Sequence, residues 1–455
     1  MRKSILPIAA GLACSVSVLH AANEKRPNII VIFTDDLGYG DLACNGSKLN
    51  RTPNLDYMAA NGIRFTDCYA AANVSTPSRA ALLTGQYPIR TGLVDVIHPP
   101  SNRGIRAESI TMAEMLKDAG YYTGMIGKWH LGDKKEFLPL QNGFQEYFGI
   151  PYSNDMKPCI YLRGNEIENT DVDQTQLTKT YTKETLRFLD ENKSRPFFLY
   201  LAHNMPHTPL FASEQFKDKS ANGLYGDVIE ELDWSVGEVM KKLHDLKIEE
   251  NTLIVFSSDN GPWLVQGKDA GSPAPYFQGK FTTWEGGHRV PTIAYWKGTV
   301  KPKVYTGLCT LMDWFPTFAS LGKAKLPTDR IIDGQNLSNV LLKNGKRKNE
   351  EFYFFLGATI KGYRSGDYKI LNPEKENVGK KNGTEVFSVP AHAKVLYNVR
   401  KDVHEDTDLS AKDPKRMEAM FLKMEAFQYS IKDLKLEKDP SEGKRVKQVK
   451  AETAE

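Results

Sequence analysis

A serine and an arginine four residues apart open a predicted helix. Ser75 comes two residues before Pro77, Arg79 follows, and Gly85 closes the segment. Proline suits the first turn of a helix because it lacks an N–H and has a fixed φ, and glycine suits the residue at which a helix ends. Ser75 then lies at the positive end of the helix dipole, with Arg79 on the same face. The pattern is typical of an ordinary helix cap, and it also predicts an anion site beside a hydroxyl group.

Polar residues follow four other segments that are predicted to be strands. The strands are residues 28–34, 122–126, 197–202 and 252–257, and each is a short apolar run. The polar residues that come after them are Asp35, Asp36, Lys128, His130, His207, Asp259 and Asn260. In open α/β sheets, ligands bind in the crevice beyond the carboxyl ends of the strands. The sequence therefore predicts that these side chains meet in one site.

Four of these residues offer hard oxygen ligands for a metal ion. Asp35, Asp36, Asp259 and Asn260 bring carboxylate and amide oxygens, with no cysteine among them. Each pair alone is also typical of a turn. Together, such a set favours Ca²⁺ or Mg²⁺ over zinc, and donor chemistry leaves both ions open.

The elements that must position these residues alternate between strand and helix. Helices are predicted near 52–61, 111–119 and 226–246, among the strands. This alternation favours an α/β fold with a large mixed, mostly parallel sheet sandwiched by helices. Beyond about residue 333, four short apolar runs lie close together before a helix near 414–432. They predict a small C-terminal subdomain with an antiparallel sheet and one helix.

The predicted organisation has four parts. They are a signal peptide at 1–21, a catalytic α/β domain at 22–335, a C-terminal α+β subdomain at 336–434 and a solvated tail at 435–455. Arg2 and Lys3 precede an apolar run at 5–19, which is the pattern of a secretory signal, so we expect a secreted or periplasmic protein. Residues 11–14 also resemble a lipoprotein box, which keeps lipid anchoring open. No later stretch has the roughly 18 apolar residues of a stable membrane span.

Composition excludes several other classes of protein. The chain has 455 residues, of which 40% are hydrophobic and 25% are charged, which suits a globular protein with a large core. The net charge of +4 is small for this length and predicts no nucleic-acid partner. Cys44, Cys68, Cys159 and Cys309 are widely spaced, so no zinc-ribbon or redox motif is present, and their pairing stays open.

Residues 75–85 resemble the signature of type I sulfatases, (Cys or Ser)-x-Pro-Ser-Arg-x-x-x-Leu-Thr-Gly, and match it at every specified position. Further segments resemble motifs of this family, in the family's order. They are Asp-Asp at 35–36, Gly-Lys-Trp-His-Leu-Gly at 127–132, the segment at 203–209, Asp-Asn-Gly at 259–261 and the segment at 279–287. The chain is thus similar to the sulfatases of the alkaline-phosphatase superfamily, and residues 149–155 most resemble the arylsulfatase A-like branch.

The resemblance implies two cofactors. Ser75 would be oxidised to 3-oxoalanine (formylglycine), and Ca²⁺ would be bound by Asp35, Asp36, Asp259, Asn260 and the modified Ser75. The hydrated aldehyde would attack sulfur, while Arg79 and Ca²⁺ acidify its hydroxyl and Asp259 accepts the proton.

It also implies how the charges and protons of the reaction are handled. His207 would protonate the departing alcohol, and Lys128 and Lys280 would neutralise charge on the sulfate oxygens. His130 would deprotonate the second hydroxyl and expel sulfate.

Serine in place of cysteine at position 75 is typical of the bacterial branch of the family. It implies a serine-type sulfatase-maturating enzyme as a partner and a sulfated saccharide as the substrate. Two alternatives stay open. One is a phosphatase or phosphodiesterase of the same superfamily with two zinc ions and an unmodified hydroxyl, and the other is an inactive glycan-binding homologue.

Overall fold

The protein is described by a computed structural model over residues 26–372, 376–381, 384–389, 394–434 and 436. The predicted signal peptide, and the tail apart from residue 436, lie outside these described residues. No helix in the described part of the chain has the length and apolar character that crossing a membrane requires.

The fold contains the following strands and helices. The strands are β1 (Asn28–Thr34), β2 (Ile63–Phe65), β3 (Cys68–Tyr69), β4 (Tyr122–Gly127), β5 (Glu146–Gly149), β6 (Tyr161–Arg163), β7 (Glu166–Asn169), β8 (Phe197–Ala202), β9 (Thr252–Ser258), β10 (Thr292–Tyr295), β11 (Lys303–Tyr305), β12 (Cys309–Thr310), β13 (Glu351–Leu356), β14 (Thr359–Ser365), β15 (Tyr368–Leu371), β16 (Glu376–Lys381), β17 (Thr384–Val389) and β18 (Val395–Asn398). The helices are α1 (Pro53–Asn61), α2 (Ser75–Thr84), α3 (Pro88–Thr91), α4 (Met112–Asp118), α5 (Leu177–Asn192), α6 (Gly223–Asp245), α7 (Glu285–His288), α8 (Trp314–Gly322), α9 (Ser338–Leu342) and α10 (Pro414–Ser430).

A ten-stranded sheet forms the centre of the molecule, in the order β11-β2-β10-β9-β1-β8-β4-β5-β6-β7. Strands β9, β1, β8, β4 and β5 run parallel, and antiparallel pairings flank them on both sides. In the middle of the sheet, Val31 of β1 lies between Tyr200 of β8 and Val255 of β9. The predicted large, mixed and mostly parallel sheet is confirmed.

The central strand is apolar because helices cover both faces of the sheet. All seven residues of β1 are buried. Ile29, Val31 and Phe33 pack into one hydrophobic cluster, whereas Ile30 and Ile32 pack into another on the opposite face. A parallel strand buried on both faces reads as a continuous apolar run rather than as an alternating one.

A separate four-stranded antiparallel sheet, in the order β13-β14-β15-β18, carries the helix α10. These strands lie within a residue or two of the four runs seen in the sequence, so the predicted C-terminal sheet and helix are confirmed. The boundary at 335/336 stays a prediction. The sequence also predicts one strand over residues 63–69, and in the structure this segment is split into the two short strands β2 and β3.

Two helices have capping residues that suit their termini. Thr111 caps α4, since its hydroxyl accepts from the backbone N–H of Glu114 at 3.1 Å, and the Glu114 carboxylate accepts from the N–H of Thr111 at 2.7 Å. Gly85 ends α2 in the left-handed region, with φ of 68°, and donates its N–H to the carbonyl of Ala81. Ser75 is the first residue of α2, and Val74 takes the capping position. The four cysteines outside the predicted signal peptide are free thiols.

Candidate active site

Ser75 lies between an arginine and a histidine. Its buried hydroxyl oxygen is 2.8 Å from Nε of Arg79, which donates to it, and 3.2 Å from Nδ1 of His130. The Arg79 contact spans one turn of α2, as the spacing of four predicted. Arg79 also donates from Nη2 to Asp259 at 2.9 Å, and both side chains are fully buried.

The protonation of His130 follows from its second contact. Its Nε2 atom lies 3.0 Å from the carbonyl oxygen of Ile97. Because a carbonyl only accepts, Nε2 carries the proton and Nδ1 faces Ser75 with a free lone pair. Burial, and then the positive Lys128 and Arg79, hold the pKa of His130 well below its ordinary value. His130 is therefore a neutral base directed at the serine.

The turns beyond β1 and β4 are tight. Asp36 and His130 both have positive φ, at 63° and 60°, and Phe281 on the loop beyond residue 279 has φ of 71°. Residues other than glycine are uncommon in this region, and such backbone conformations cluster at ligand sites. Here they turn side chains from three separate segments toward a common point.

Hard oxygen ligands gather behind Ser75. The amide of Asn260 donates to Oδ1 of Asp36 at 2.7 Å, and the N–H of Asp36 donates to Oδ1 of Asp259 at 3.1 Å. Oδ1 of Asp35 and Oδ1 of Asn260 are buried and have no hydrogen-bond partner among the described residues. Buried acceptors without partners are costly, so two of them in one cluster of oxygen donors fit a bound cation of the Ca²⁺ or Mg²⁺ kind.

A histidine lies near the same oxygens. Asp35, Asp36 and His207 each place one ligand atom within 4.8 Å of the others. His207 Nδ1 is 2.5 Å from the carbonyl of Thr208, so this nitrogen carries a proton. Its Nε2 atom faces the carboxylate cluster and lies 3.6 Å from Oδ2 of Asp36. The ring is thus held in one orientation by its own backbone neighbour.

Two buried lysines approach the carboxylates from different loops. Lys128 contacts Asp35, and its Nζ lies 3.3 Å from the hydroxyl of Ser153. Lys280 donates to Oδ2 of Asp36 at 2.8 Å. Burial lowers the pKa of Lys128 despite the nearby Asp35, whereas Asp36 and Asp35 outweigh burial at Lys280 and raise its pKa.

A pocket of about 330 Å³ opens onto these groups. Ser75, Lys128, His130, His207 and Lys280 line it, and they are five of the seven residues predicted to be catalytic. The other two, Arg79 and Asp259, lie behind Ser75 with the carboxylate cluster. The structure therefore brings every predicted site residue to one place, and their chemical roles stay predictions.

The walls of the pocket include residues that were not predicted to be catalytic or to bind a metal ion. Trp263, Phe281 and Asp155 line it, as do Leu356 and Gly357 at the turn between β13 and β14. From the sequence, the loops at 95–100, 152–155 and 263–276 are expected to vary with the substrate, but the C-terminal turn gives no signal in the sequence. It reaches the pocket only because the antiparallel sheet packs beside α2 and α3, through residues such as Tyr87 and Phe352.

Comparisons with known proteins agree on one family. A family model described as Sulfatase matches residues 27–324. The chain is 40% identical over 401 residues to human arylsulfatase A, covering 81% of this chain and 77% of that protein. It is 39% identical over 383 residues to mouse N-acetylgalactosamine-6-sulfatase, covering 78% and 74%.

Solved structures show the same likeness. A sulfatase from Pseudoalteromonas sp. superposes with a TM-score of 0.83 at 28% identity, covering 91% of this chain and 92% of that one. A protein from Bacteroides thetaiotaomicron, described under the metabolism of multiple glycosaminoglycans, superposes with a TM-score of 0.82 at 28% identity. It covers 89% of this chain and 100% of that one.

Proposed function

The chain belongs to the sulfatase family, and we propose that it removes sulfate from a sulfated carbohydrate by means of a formylglycine made from Ser75 and a bound Ca²⁺. Sulfatases are sulfuric ester hydrolases, and this chain is an enzyme of that class. The observation that carries the proposal is the position of the Ser75 oxygen between Nε of Arg79, at 2.8 Å, and Nδ1 of His130, at 3.2 Å, facing the pocket.

Conversion of Ser75 to formylglycine would provide both a nucleophile and a way to release the sulfate. A serine hydroxyl is a weak nucleophile unless a base activates it, and His130 alone provides no route by which sulfate would leave the oxygen again. Oxidation removes two hydrogens from the side chain, and the hydrated aldehyde would supply one hydroxyl to attack sulfur and another to expel sulfate. Arg79 would donate to the attacking oxygen, Asp259 would accept its proton, and His130 would accept the proton of the second hydroxyl.

A cation would be held by the oxygens behind Ser75. Asp35, Asp36, Asp259 and Asn260, with the modified Ser75, would bind Ca²⁺, and the two unpartnered oxygens support this assignment. The ion would stabilise negative charge on the reacting oxygens. The residues also fit Mg²⁺ by donor type, so the choice of Ca²⁺ rests on the family.

The remaining polar residues would handle charge and protons. Lys128 and Lys280 line the pocket and would face the sulfate oxygens, whose negative charge they would neutralise. His207 holds its Nδ1 proton on Thr208 and presents Nε2 toward Asp36, so a protonated ring would donate from Nε2 to the departing alcohol. Each role is testable by substitution.

The substrate class rests on relatives and on the pocket. N-acetylgalactosamine-6-sulfatase is among the similar proteins, and a pocket of about 330 Å³ lies at the small end of the roughly 300–1,000 Å³ range for small-molecule sites. We propose a sulfated saccharide as the substrate. We also propose export, on the strength of the basic and apolar segment at the N-terminus.

The test is to produce the protein with and without a serine-type sulfatase-maturating enzyme. With the maturing enzyme, we expect the peptide that contains Ser75 to lose the mass of two hydrogens and sulfate release to appear with Ca²⁺ present. Without it, the protein should fold but be nearly inactive, and Ser75→Ala should be inactive in both hosts. Full activity without a loss of mass at Ser75 would contradict the mechanism.

The same preparation tests the rival chemistry. Zinc-dependent release of phosphate from nitrophenyl phosphate, exceeding release of sulfate from nitrophenyl sulfate, would favour a phosphatase. The Asp35, Asp36 and His207 grouping contains one histidine, whereas zinc sites in enzymes usually draw on more nitrogen ligands. We therefore expect zinc to support little turnover.

A further inference from the structure

The rim of the pocket carries charge of the opposite sign to its floor. Lys128 and Lys280 lie at the buried end, where the sulfate group would bind. Asp95 and Asp155 line the same pocket but are exposed to solvent. A ligand that enters from the rim therefore meets two carboxylates before it reaches the lysines.

Asp155 is held close to the reacting groups. It follows Ser153, whose hydroxyl lies 3.3 Å from Nζ of Lys128. Partial burial of its carboxylate raises the pKa of Asp155, but the nearby His207 ring, a hydrogen bond from Ser153 and the charge of Lys128 outweigh this effect, so the pKa lies below its ordinary value. Asp155 is thus an anion at neutral pH.

Asp95 lies on another side of the rim, against the C-terminal sheet. A Cβ placed on Gly357, which has φ of 58° in the turn between β13 and β14, would lie 3.4 Å from Oδ1 of Asp95. The turn therefore closes the rim next to this carboxylate. Asp95 and Asp155 come from different loops, and both reach the space between the floor and solvent.

An aromatic wall stands between rim and floor. The indole of Trp263 is 5.6 Å from the ring of His207 and 4.7 Å from Nζ of Lys280, measured to ring centroids. Phe281 and Met156 extend this apolar surface. A flat apolar wall beside carboxylate acceptors is complementary to a sugar ring, which has an apolar C–H face and hydroxyl groups that donate hydrogen bonds.

We propose that Asp95 and Asp155 determine specificity by accepting hydrogen bonds from the sugar and excluding a second anionic group from the pocket. The inference rests on the proposed function and narrows the substrate to a singly sulfated, otherwise neutral sugar, such as a hexose or an N-acetylhexosamine. A second sulfate, or the carboxylate of a uronic acid, would approach the rim carboxylates as a like charge. At separations of about 6 Å and a dielectric constant of about 40, between the values of about 20 near a protein surface and about 80 in water, such repulsion lowers affinity on the order of tenfold for each exposed carboxylate.

The experiment uses the full-length protein produced with the maturing enzyme. A panel of N-acetylgalactosamine 6-sulfate, N-acetylgalactosamine 4-sulfate, N-acetylglucosamine 6-sulfate and galactose 6-sulfate identifies the best singly sulfated substrate. kcat/KM for that sugar is then compared with kcat/KM for the same sugar bearing a second sulfate. The variants are Asp95→Asn and Asp155→Asn, which keep side-chain size and remove charge, and the control is Asp171→Asn, an exposed carboxylate outside the pocket lining.

For the unmodified protein we expect a preference of at least tenfold for the singly sulfated sugar at low ionic strength. Each rim variant should reduce this preference about fivefold to tenfold, and the control should leave it unchanged. Added salt should also reduce the preference, because exposed charges are screened over about 10 Å at 0.1 M. If the second sulfate were excluded by its size alone, neither the rim variants nor added salt would change the preference.

Two outcomes overturn the inference in distinguishable ways. Equal kcat/KM for the two sugars, or a preference that neither rim variant changes, would refute the role of Asp95 and Asp155 and leave the proposed function intact. Failure to release sulfate from any sugar or from nitrophenyl sulfate, with Ser75 fully converted, would refute the proposed function and this inference with it.

Discussion

Two buried clusters of charge in this molecule have the same composition but differ in how completely they are paired. The active-site cluster contains Asp35, Asp36, Asp259, Arg79, Lys128 and Lys280. The interface cluster, between the large sheet and the C-terminal sheet, contains Asp67, Glu285, Glu405, Arg289, Arg364 and Lys369. Each set has three acidic and three basic side chains, so net charge does not distinguish them.

In the interface cluster, every carboxylate contacts at least one cation. Asp67 lies 2.7 Å from Arg289 and 2.7 Å from Arg364. Lys369 lies 3.0 Å from Glu285 and 2.8 Å from Glu405. None of its six residues lines the active-site pocket, and the cluster joins α7 to β14 and β15. Oδ1 of Asp67 and Oε1 of Glu405 accept no hydrogen bond among the described residues, but each lies within 2.8 Å of a cationic nitrogen, so the charge of both oxygens is balanced without a ligand.

In the active-site cluster, Oδ1 of Asp35 and Oδ1 of the adjoining Asn260 accept no hydrogen bond in the described part of the chain, because Arg79 and Lys128 contact the other oxygen of Asp35. Lys128 and Lys280 of this cluster line the pocket. Incomplete pairing next to a cavity therefore marks the functional cluster, and complete pairing marks the structural one. The comparison predicts that changes in the first cluster affect activity and that changes in the second affect stability.

The largest effect is expected for Asp259→Asn. The amide keeps the size of the side chain but removes the charge that pairs with Arg79 at 2.9 Å, so sulfatase activity should fall at least about 10³-fold. The matched variant in the interface cluster, Glu285→Gln, should retain most of its activity per folded molecule. Initial rates on nitrophenyl sulfate, corrected for folded fraction, provide the measurement. Comparable losses in both variants would contradict the distinction between the clusters.

The next effect concerns stability. Lys369→Met leaves Glu285 and Glu405 buried without their shared cation, and breaking a buried ion pair typically costs about 3–5 kcal/mol. Lys280→Met should cost less in the presence of Ca²⁺, because Asp36 keeps its bond from Asn260 and the cation compensates its charge. Urea unfolding of both variants tests this order, and a larger loss for Lys280→Met would reverse it.

The third effect is stabilisation by a metal ion. If the unpartnered oxygens bind Ca²⁺, an excess of 100 times the dissociation constant should raise the free energy of unfolding by about 2.7 kcal/mol. The rise in Tm should disappear in Asp36→Asn and persist in Glu405→Gln. Parallel scans with Mg²⁺ determine which ion the site prefers. An identical Tm with Ca²⁺ and with a chelator would argue against the site.

The sequence predicted the active-site cluster better than the interface cluster, for a physical reason. Asp35, Lys128 and Asp259 each follow a strand of one parallel sheet, so strand order alone brings them together. The interface cluster joins residues that lie far apart along the chain, such as Asp67 and Arg364 at 2.7 Å. No pattern of periodicity or turn signals encodes how two sheets pack against each other.

The central strands of the large sheet could be predicted from the sequence, but strands at one edge of this sheet could not. The runs that became β1 and β9 are buried on both faces and could be read as strands directly. The antiparallel edge formed by β5, β6 and β7 was not predicted, since these strands are short and β7 is fully exposed. The turn at Gly357, which lines the pocket, was identified only from the structure, because the packing of the C-terminal sheet beside α2 and α3 brings it there.

The smallest expected effect is a change in how stability depends on pH, and it involves Glu405 of the interface cluster. Burial raises the pKa of Glu405 to about 7, and although the positive Lys369 opposes the shift, the negative Glu285 adds to it. Between an unfolded value of about 4.3 and this pKa, the folded protein binds more protons than the unfolded chain, so stability falls as pH rises. The contribution of Glu405 is fully present below about pH 4 and is lost as pH rises through about 7.

Because the carboxyl accepts from the N–H of Glu285 at 2.9 Å, Glu405→Gln should keep this bond and remove the titration. We expect the variant to flatten the fall in unfolding free energy between pH 5 and 8 by about 1–3 kcal/mol. The pH dependence of sulfatase activity should not change, since Glu405 does not line the pocket. A variant whose stability falls as steeply as that of the unmodified protein would show that another carboxyl group, such as Asp41, whose pKa burial also raises to about 7, causes the slope.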